Sequence, residues 1–391
     1  MTPLPRDSCG PGALPWHEAR RHAYRSAAAL PSRSLPLADA RGGVLAEPLN
    51  AASPLPPFDT SAMDGFAVAG QAPWRVVGQR LAGTDSGRTP LPGEAVEIAT
   101  GAVVPAGVDA VLPYEQASVD LDYLTGQVEP GRHIRRGGEE CRAGDELLPP
   151  GTPVTSAVLG LAAAVGLDEL WVIPRPRVAL LVTGDELLQS GLPRGGRIRD
   201  AVGPLVPGLV EGYGGTVVSV RHIPDVRGAL VEAVEQAVAD IVVTSGASSV
   251  GPADHLPAVL KELAAEPVVD GVLCRPGRPQ TLALLPDGRW LMGLPGNPLA
   301  AVAGVITCLA SVLAATSGRP LPSLRPVRLP PSVQPRPGTT RLITARLVGD
   351  EAEPTGYGGA AMLRGLARSD VIVALPPHGE GVPEALALPL V

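Results

Sequence analysis

The sequence predicts a multidomain chain of the α/β plus β class: a central α/β domain on a parallel sheet, a β-rich unit before it, and a small β-barrel or sandwich at its C-terminal end. Three observations carry this. Between 177 and 315, aliphatic runs alternate with helix-patterned segments, as in a parallel sheet covered on both faces. Short β-type runs broken by Gly and Pro stand on either side of that region. With 391 residues the chain exceeds one ordinary core and suits roughly two to four compact units.

Along the chain, WHEARRHAYRSAAAL (16–30) reads as a helix that Pro31 closes. Residues 32–54 read as a short strand and helix leading into a loop. FAVAG, WRVVG, AVEIATG and DAVLP then mark short strands of an all-β unit ending near Gly131. Residues 134–175 return to mixed character, with a helix in SAVLGLAAAVGL after Pro153. From Arg177, the strands VALLV, TVVSVRHI, DIVV, TLALL and RWLMG alternate with helices expected at 203–213, 227–238, near 255–264 and at 299–315. Past Pro320, RLITARL, DVIVALP and ALALPLV are short β-runs separated by prolines.

Composition excludes several function classes. Hydrophobic residues at 45% and charged residues at 18% are a globular balance, so apolar burial offsets chain entropy and general disorder is not expected. Gly and Pro, 47 and 45 residues, follow no repeat period and read as turns. A net charge of −7 with 3% aromatics leaves little basic surface and few stacking platforms, so no nucleic acid is expected. Cysteines at 9, 141, 274 and 308 lack zinc or disulfide spacing and suit a reducing cytoplasm. The N-terminus lacks signal-peptide features, and the apolar stretch 299–315 suits a buried helix, so no membrane span is expected.

Ligands of open parallel sheets bind beyond the carboxyl ends of the strands. Three polar loops stand there: Thr183-Gly184-Asp185-Glu186, Pro224-Asp225, and the Gly/Ser-rich run from Thr244 to Gly251 leading to Asp254. In the third, Gly246 permits close backbone approach and Ser245 and Ser249 add donors, which makes it an anion cradle or a plain turn. Glu186, Asp225 and Asp254 converge on this edge as hard oxygen ligands suited to Mg²⁺; the alternative is helix capping, above all for Asp185 and Asp254. Pro295 and Asn297 belong to a fourth loop, Gly293 to Pro298, whose composition also suits a simple helix start. Arg275 and Arg278, held among prolines, form an oxyanion-binding pair or a solvated turn. The run from Pro56 to Gly65 is dense in polar groups, although Asp59 and Asp64 also suit turn capping. No His/Cys or Ser/His pairing stands out, so covalent catalysis is not expected.

These loops add up to a resemblance. PPFDTSAMDGFAV, AVEIATGAVVPAGVDAVLPYE, VALLVTGDEL, TSGASSVGPAD, RPGRP and GLPGNP, in this order from Pro56 to Pro298, resemble the molybdopterin molybdenumtransferase family. The resemblance implies a helix at 1–30, an elongated discontinuous domain of 31–50 and 134–175, an inserted β-rich domain at 51–133, an α/β molybdopterin-binding domain at 176–322, and a C-terminal β-barrel at 323–391. It implies a homodimer whose active site joins the α/β domain of one subunit to the β-rich domain of the other. The implied reaction takes adenylated molybdopterin and molybdate, releases AMP and uses Mg²⁺. Carried over by motif, Asp64, Thr100, Glu186, Asp225 and Asp254 are the catalytic set, with Glu186, Asp225 and Asp254 on the metal. Ser245, Gly246, Ser249, Arg275, Arg278, Pro295 and Asn297 bind substrate. Contacts with molybdopterin adenylyltransferase or with molybdoenzymes are a further expectation.

The departures are specific. Ala247 replaces a glycine of Ser-Gly-Gly, Arg275 and Arg278 replace lysines in a chain whose only lysine is Lys261, and Gly271 stands where some members carry a basic residue. Ala201 and Val202 replace polar residues after Asp200, and Ala360 and Ala361 replace a Gly-Ser segment and its serines. They set an active enzyme against a second reading, a diverged paralogue that binds molybdopterin or partner enzymes as a scaffold or chaperone without turnover.

Overall fold

The computed structural model describes residues 12–84, 87–246, 255–378 and 380–388. It divides into two compact units: one of Met1–Arg33, Gly42–Val44 and Ile173–Val391, the other of Ser34–Arg41 and Leu45–Val172.

In the second unit, a six-stranded sheet takes the order Ser118–Asp120, Tyr123–Thr125, Trp74–Arg80, Glu94–Ile98, Gly65–Ala69, Ala110–Pro113. Every expected β-run of this region is one of its strands. Period-2 alternation lets Gly65–Ala69 serve two cores, with Phe66 and Val68 on one face and Ala67 on the other. A separate cluster joins Ala40, Leu45, Leu49 and Ala51 to Cys141, Val154, Val158 and Ala162. The sheet is therefore an excursion between two segments that pack on each other. The helix Ser156–Ala164 in this cluster starts where sequence chemistry demands, because the Thr155 hydroxyl accepts the Val158 N–H at 3.3 Å.

In the first unit, six strands form the sheet that carries the candidate site: β1 (Arg177–Thr183), β2 (Thr216–Ile223), β3 (Ile241–Ser245), β4 (Glu266–Asp270), β5 (Thr281–Leu284) and β6 (Trp290–Leu294), in the order β2-β1-β3-β6-β5-β4. Its helices are α1 (Trp16–Ser26), α2 (Val202–Gly212), α3 (Arg227–Glu235), α4 (Leu256–Glu262) and α5 (Pro298–Thr316), whose middle turn Val305–Leu309 is π-helical. Strands β2, β1, β3 and β6 are parallel. The expectation of a wholly parallel sheet is corrected at β5, which runs antiparallel to β6, and at β4, an unforeseen strand antiparallel to β5. The reason is local. Only Leu285 to Arg289, containing Pro286-Asp287-Gly288, joins β5 to β6, and a loop this short closes an antiparallel hairpin, whereas a parallel pair needs a crossover of about a dozen residues or more.

Both faces of the sheet are covered. Val178, Leu180 and Val182 of β1 join α1, α2 and α5 in one core, while Leu181 joins α3 and α4 in another. Helix α5 has a mean hydropathy of 2.2 and is buried from Leu299 to Thr316, as expected of a core helix. Trp16 of α1 docks on it, its indole N–H donating to the Thr307 hydroxyl at 2.8 Å.

C-terminal strands close a small barrel. Thr340–Val348 pairs with Glu351–Pro354 and Val371–Leu375, the latter with Glu384–Ala387, and that with Arg325–Pro326; the Arg328–Glu351 bridge completes the ring. Alternation divides its side chains, with Val371 and Val373 in the barrel interior and Ile372 and Ala374 in the α5 core. The short strand Val272–Arg275 pairs parallel to Thr340–Val348, so the loop bearing the expected arginines is tied to the barrel.

Truncating Trp16 to Ala removes a buried aromatic from the α5 core and is expected to cost roughly 3–5 kcal/mol. Trp16→Phe is expected to cost less, because the retained ring leaves a smaller cavity and the Thr307 hydroxyl keeps its bond to the Ala303 carbonyl in either variant. Denaturant unfolding followed by circular dichroism measures both.

Candidate functional site

The C-terminal ends of the parallel strands open on a cleft of ≈ 400 Å³. Its walls hold Thr183 and Glu186 after β1, Asp225 after β2, Ser245 and Gly246 at the end of β3, and Gly296 and Asn297 after β6. Five of the expected site residues, Glu186, Asp225, Ser245, Gly246 and Asn297, are thus together. Asp254 and Ser249, with Ala247, lie outside the described residues.

The cleft depends on missing side chains. Gly246 has φ +94, and a Cβ there would stand 2.6 Å from the Thr183 carbonyl oxygen. Gly296 packs against Gly246, its would-be Cβ 3.3 Å from the Gly246 Cα. The Thr183 hydroxyl donates to the Ser245 carbonyl at 2.7 Å, tying β1 to β3. The Gly246 N–H donates to the Leu294 carbonyl at 3.2 Å, so of the roles expected for this loop Gly246 itself does not contribute its amide. What Gly246 supplies is close approach.

Electrostatically the cleft is acidic. Burial pushes the Asp225 carboxyl above its ordinary range, and Asp185 and Glu186 push the same way against an opposing His255. Asp185 serves structure, its Oδ1 accepting the Asp225 N–H at 3.3 Å and joining two loops. Hard, mutually repelling oxygen donors are what a divalent cation relieves, so Glu186 and Asp225 fit Mg²⁺ in kind. Among the described residues, no group of three His, Cys, Asp or Glu is placed to hold a metal ion.

Sequence reasoning missed a pair at the wall of this cleft, the buried Asp200 and the more exposed His222. Asp200 accepts the Val202 and Gly203 N–H groups, both at 2.9 Å, so it caps α2, and its other oxygen meets His222 Nε2 at 2.9 Å. A Cβ on Gly203 would collide with the Asp200 carboxylate. An Asp just before an apolar helical run is the signal that could have found the cap; nothing local marks His222.

Arg275 and Arg278 are elsewhere. They line a second cleft of ≈ 790 Å³, together with Arg336, Arg341 and the Gly356–Ala360 loop, and neither lines the carboxylate cleft. Burial and the neighbouring Arg336 guanidinium both lower the Arg341 pKa. An anion in this cleft would relieve that repulsion. Pro295 is buried and is not among the residues lining the carboxylate cleft, so it serves the turn into α5. The Ala360 carbonyl accepts the Leu299 and Ala300 N–H groups at 2.9 and 3.2 Å, so the start of α5 is capped from the C-terminal domain.

In the other unit, Asp64 and Thr100 meet: the Asp64 carboxylate accepts the Thr100 N–H at 2.7 Å. Beside them Tyr114 donates its hydroxyl to Glu97 at 2.6 Å and packs edge-on against Phe66. Burial, then the Glu97 hydrogen bond and charge, push the Tyr114 phenol up to about 12. No local pattern marks this pair, whose members lie 17 residues apart.

Three family models match in succession: "MoeA N-terminal region (domain I and II)" over 14–166, "Probable molybdopterin binding domain" over 179–315, and "MoeA C-terminal region (domain IV)" over 326–384. A molybdopterin molybdenumtransferase of Staphylococcus aureus (strain COL) is 30% identical over 390 residues, covering 94% of this chain and 93% of the relative. The chain belongs to the molybdopterin molybdenumtransferase family. A second relative of that name, from Staphylococcus epidermidis (strain ATCC 12228), is 30% identical over 88% of this chain and 87% of its own. Among solved structures, the molybdopterin biosynthesis MoeA protein of Pyrococcus horikoshii matches at 25% identity with a TM-score of 0.70, covering 96% of this chain and 99% of that one.

Within this family pattern, two departures have structural reasons. Val202 is buried in the α5 core, 4% exposed, where a polar side chain would need a partner. Gly271 is buried and left-handed, φ +84, a backbone shape that a basic residue adopts only with strain.

Replacing Asp200 with Ala removes the α2 cap and is expected to cost about 0.5–2 kcal/mol, measured by thermal or denaturant unfolding. The Tyr114 phenol is expected to titrate near pH 12, read as the ultraviolet difference between wild type and Tyr114→Phe. Below that pH it stays protonated and donates to Glu97; above it, phenolate and carboxylate repel. Glu97→Gln is expected to move the midpoint down only part-way, because burial is the larger cause.

Proposed function

We propose that this chain is an active molybdopterin molybdenumtransferase, which takes adenylated molybdopterin and molybdate, releases AMP and delivers molybdenum to the dithiolene sulfurs of the pterin. The observation that carries this reading is the carboxylate cleft, where Glu186, Asp225, Ser245, Gly246 and Asn297 meet at the strand ends. Gly246 and Gly296 let the β1, β3 and β6 ends pack at backbone distance, and in the cleft so formed the Ser245 hydroxyl and Asn297 amide orient a phosphate or pterin. Asp225 and Glu186 orient the water that attacks the phosphoanhydride. Mg²⁺, held by Glu186 and Asp225 with Asp254 as third acid, would supply charge neutralisation at that bond.

Arg275 and Arg278 keep their substrate role in this reading, in the second cleft. With Arg336 and Arg341 they present a cationic surface to the molybdate oxyanion. Asp64 and Thr100 enter from the β-rich domain of a second subunit, which makes the enzyme a homodimer with shared sites. The domain limits given by the resemblance, a cytoplasmic location and contacts with molybdopterin adenylyltransferase or molybdoenzymes belong to the same reading. The buried state of α5 supports a chain without a membrane span.

The test supplies adenylated molybdopterin, molybdate and Mg²⁺ to the full chain and measures AMP release. Wild type is expected to exceed Asp254→Ala and Asp225→Ala by about 10²-fold, and removing Mg²⁺ with a chelator is expected to abolish the difference. Mixing Asp64→Ala with Asp225→Ala subunits is expected to restore part of the rate, as a shared site requires. If wild type binds the pterin but releases no more AMP than Asp254→Ala, the chain is a non-catalytic binder.

A further inference from the structure

The loop bearing Arg275 and Arg278 reverses tightly between Val272–Arg275 and β5. Its backbone is stitched at the base, where the Gly271 and Val272 N–H groups donate to the Gln280 and Arg278 carbonyls at 2.8 and 2.9 Å. Above that base, the Cys274 thiol donates to the Pro276 carbonyl at 3.4 Å, and the Gln280 side chain reaches across the loop. Gln280 is 1% exposed, and its Nε2 donates to the Gly277 carbonyl at 2.5 Å and to Cys274 Sγ at 3.4 Å. Its Oε1 accepts the Cys308 thiol of α5 at 3.7 Å. Gly277 itself is left-handed, φ +95, and a Cβ there would stand 2.5 Å from Ala303 Cβ and 3.1 Å from the Ala300 carbonyl oxygen. Gly277 and the Gln280 amide therefore both bring the loop against α5.

A buried amide is not needed to fill this space, since an apolar residue of similar volume would do so. What an amide adds is direction, because each of its atoms has a fixed partner. The other half of the cleft, Arg336 and Arg341, comes from a different segment, so the spacing between the two arginine pairs depends on where this loop is held.

We propose that Gln280 is a positioning residue for the arginine cleft: it fixes the Arg275–Arg278 loop on α5, so that both guanidinium groups are set for a tetrahedral oxyanion. The role rests on the oxyanion reading of that cleft. Isothermal titration of inorganic molybdate and of sulfate into the full-length protein, beside binding of adenylated molybdopterin, tests it. Gln280→Met is expected to weaken both anions by about tenfold or more, a displaced charge pair being less well oriented, while pterin affinity stays within about twofold of wild type. Hydrogen exchange at the Gly271 and Val272 amides is expected to quicken. Gly277→Ala, which displaces the same loop directly, is expected to reproduce the anion defect. Unchanged anion affinity in Gln280→Met overturns the role, as does parallel loss of anion and pterin binding. Absence of anion binding by wild type sinks the oxyanion reading, and the role with it.

Discussion

The burial of α5 is the constraint on which the first unit depends. A helix of 19 residues with mean hydropathy 2.2 must be enclosed on every side, because each exposed Val, Leu or Ile would forfeit roughly 1.5–3 kcal/mol. The sheet, α1, α2 and the C-terminal strands supply that enclosure, and their apolar residues form one continuous core with it. Glycines set how closely they approach. A Cβ on Gly304 would meet Leu294 at 2.6 Å, and one on Gly215 would meet Leu313 at 2.8 Å.

Both clefts take their geometry from the N-terminal end of this helix. Asn297 and Pro298 stand in the wall of the acidic cleft, while Ala300 and Ala303 support Gly277 under the basic one. A rigid element shared by two sites keeps their relative position fixed more firmly than loops would. The two clefts are of opposite character. Asp225 is shifted towards protonation by burial and neighbouring acids, and Arg341 is lowered by burial and Arg336. Burial is the largest cause of each shift and like charges held nearby by the fold add to it, in a place where a ligand of opposite charge would relieve them.

Much of this was legible along the chain. Apart from β4, strand and helix succession from 177 to 316 followed from aliphatic runs and turn residues, because the central strands of a parallel sheet are buried on both faces and read as continuous apolar runs. Glu186, Asp225, Ser245, Gly246 and Asn297 came together because strand ends share one edge, so loops after successive parallel strands converge there. The β5–β6 hairpin is equally local, since Pro286-Asp287-Gly288 announces it, although its strands are apolar like the parallel ones. The placement of Arg275 and Arg278 was not legible: Val272–Arg275 leaves the six-stranded sheet to pair with the barrel strand Thr340–Val348, more than 60 residues onward in sequence.

The sequence by itself determined the family, the order of elements and the identity of the polar groups at the strand ends, since these rest on local propensity, short-range spacing and side-chain chemistry. Only the tertiary structure decided that the arginines and carboxylates occupy separate clefts, that the Gly246 amide is taken by Leu294, and that Asp200 is shared between α2 and His222. These are pairings across long stretches of chain. Their partners are chosen by how buried surfaces fit, a property of the packed whole that no local pattern of residues encodes.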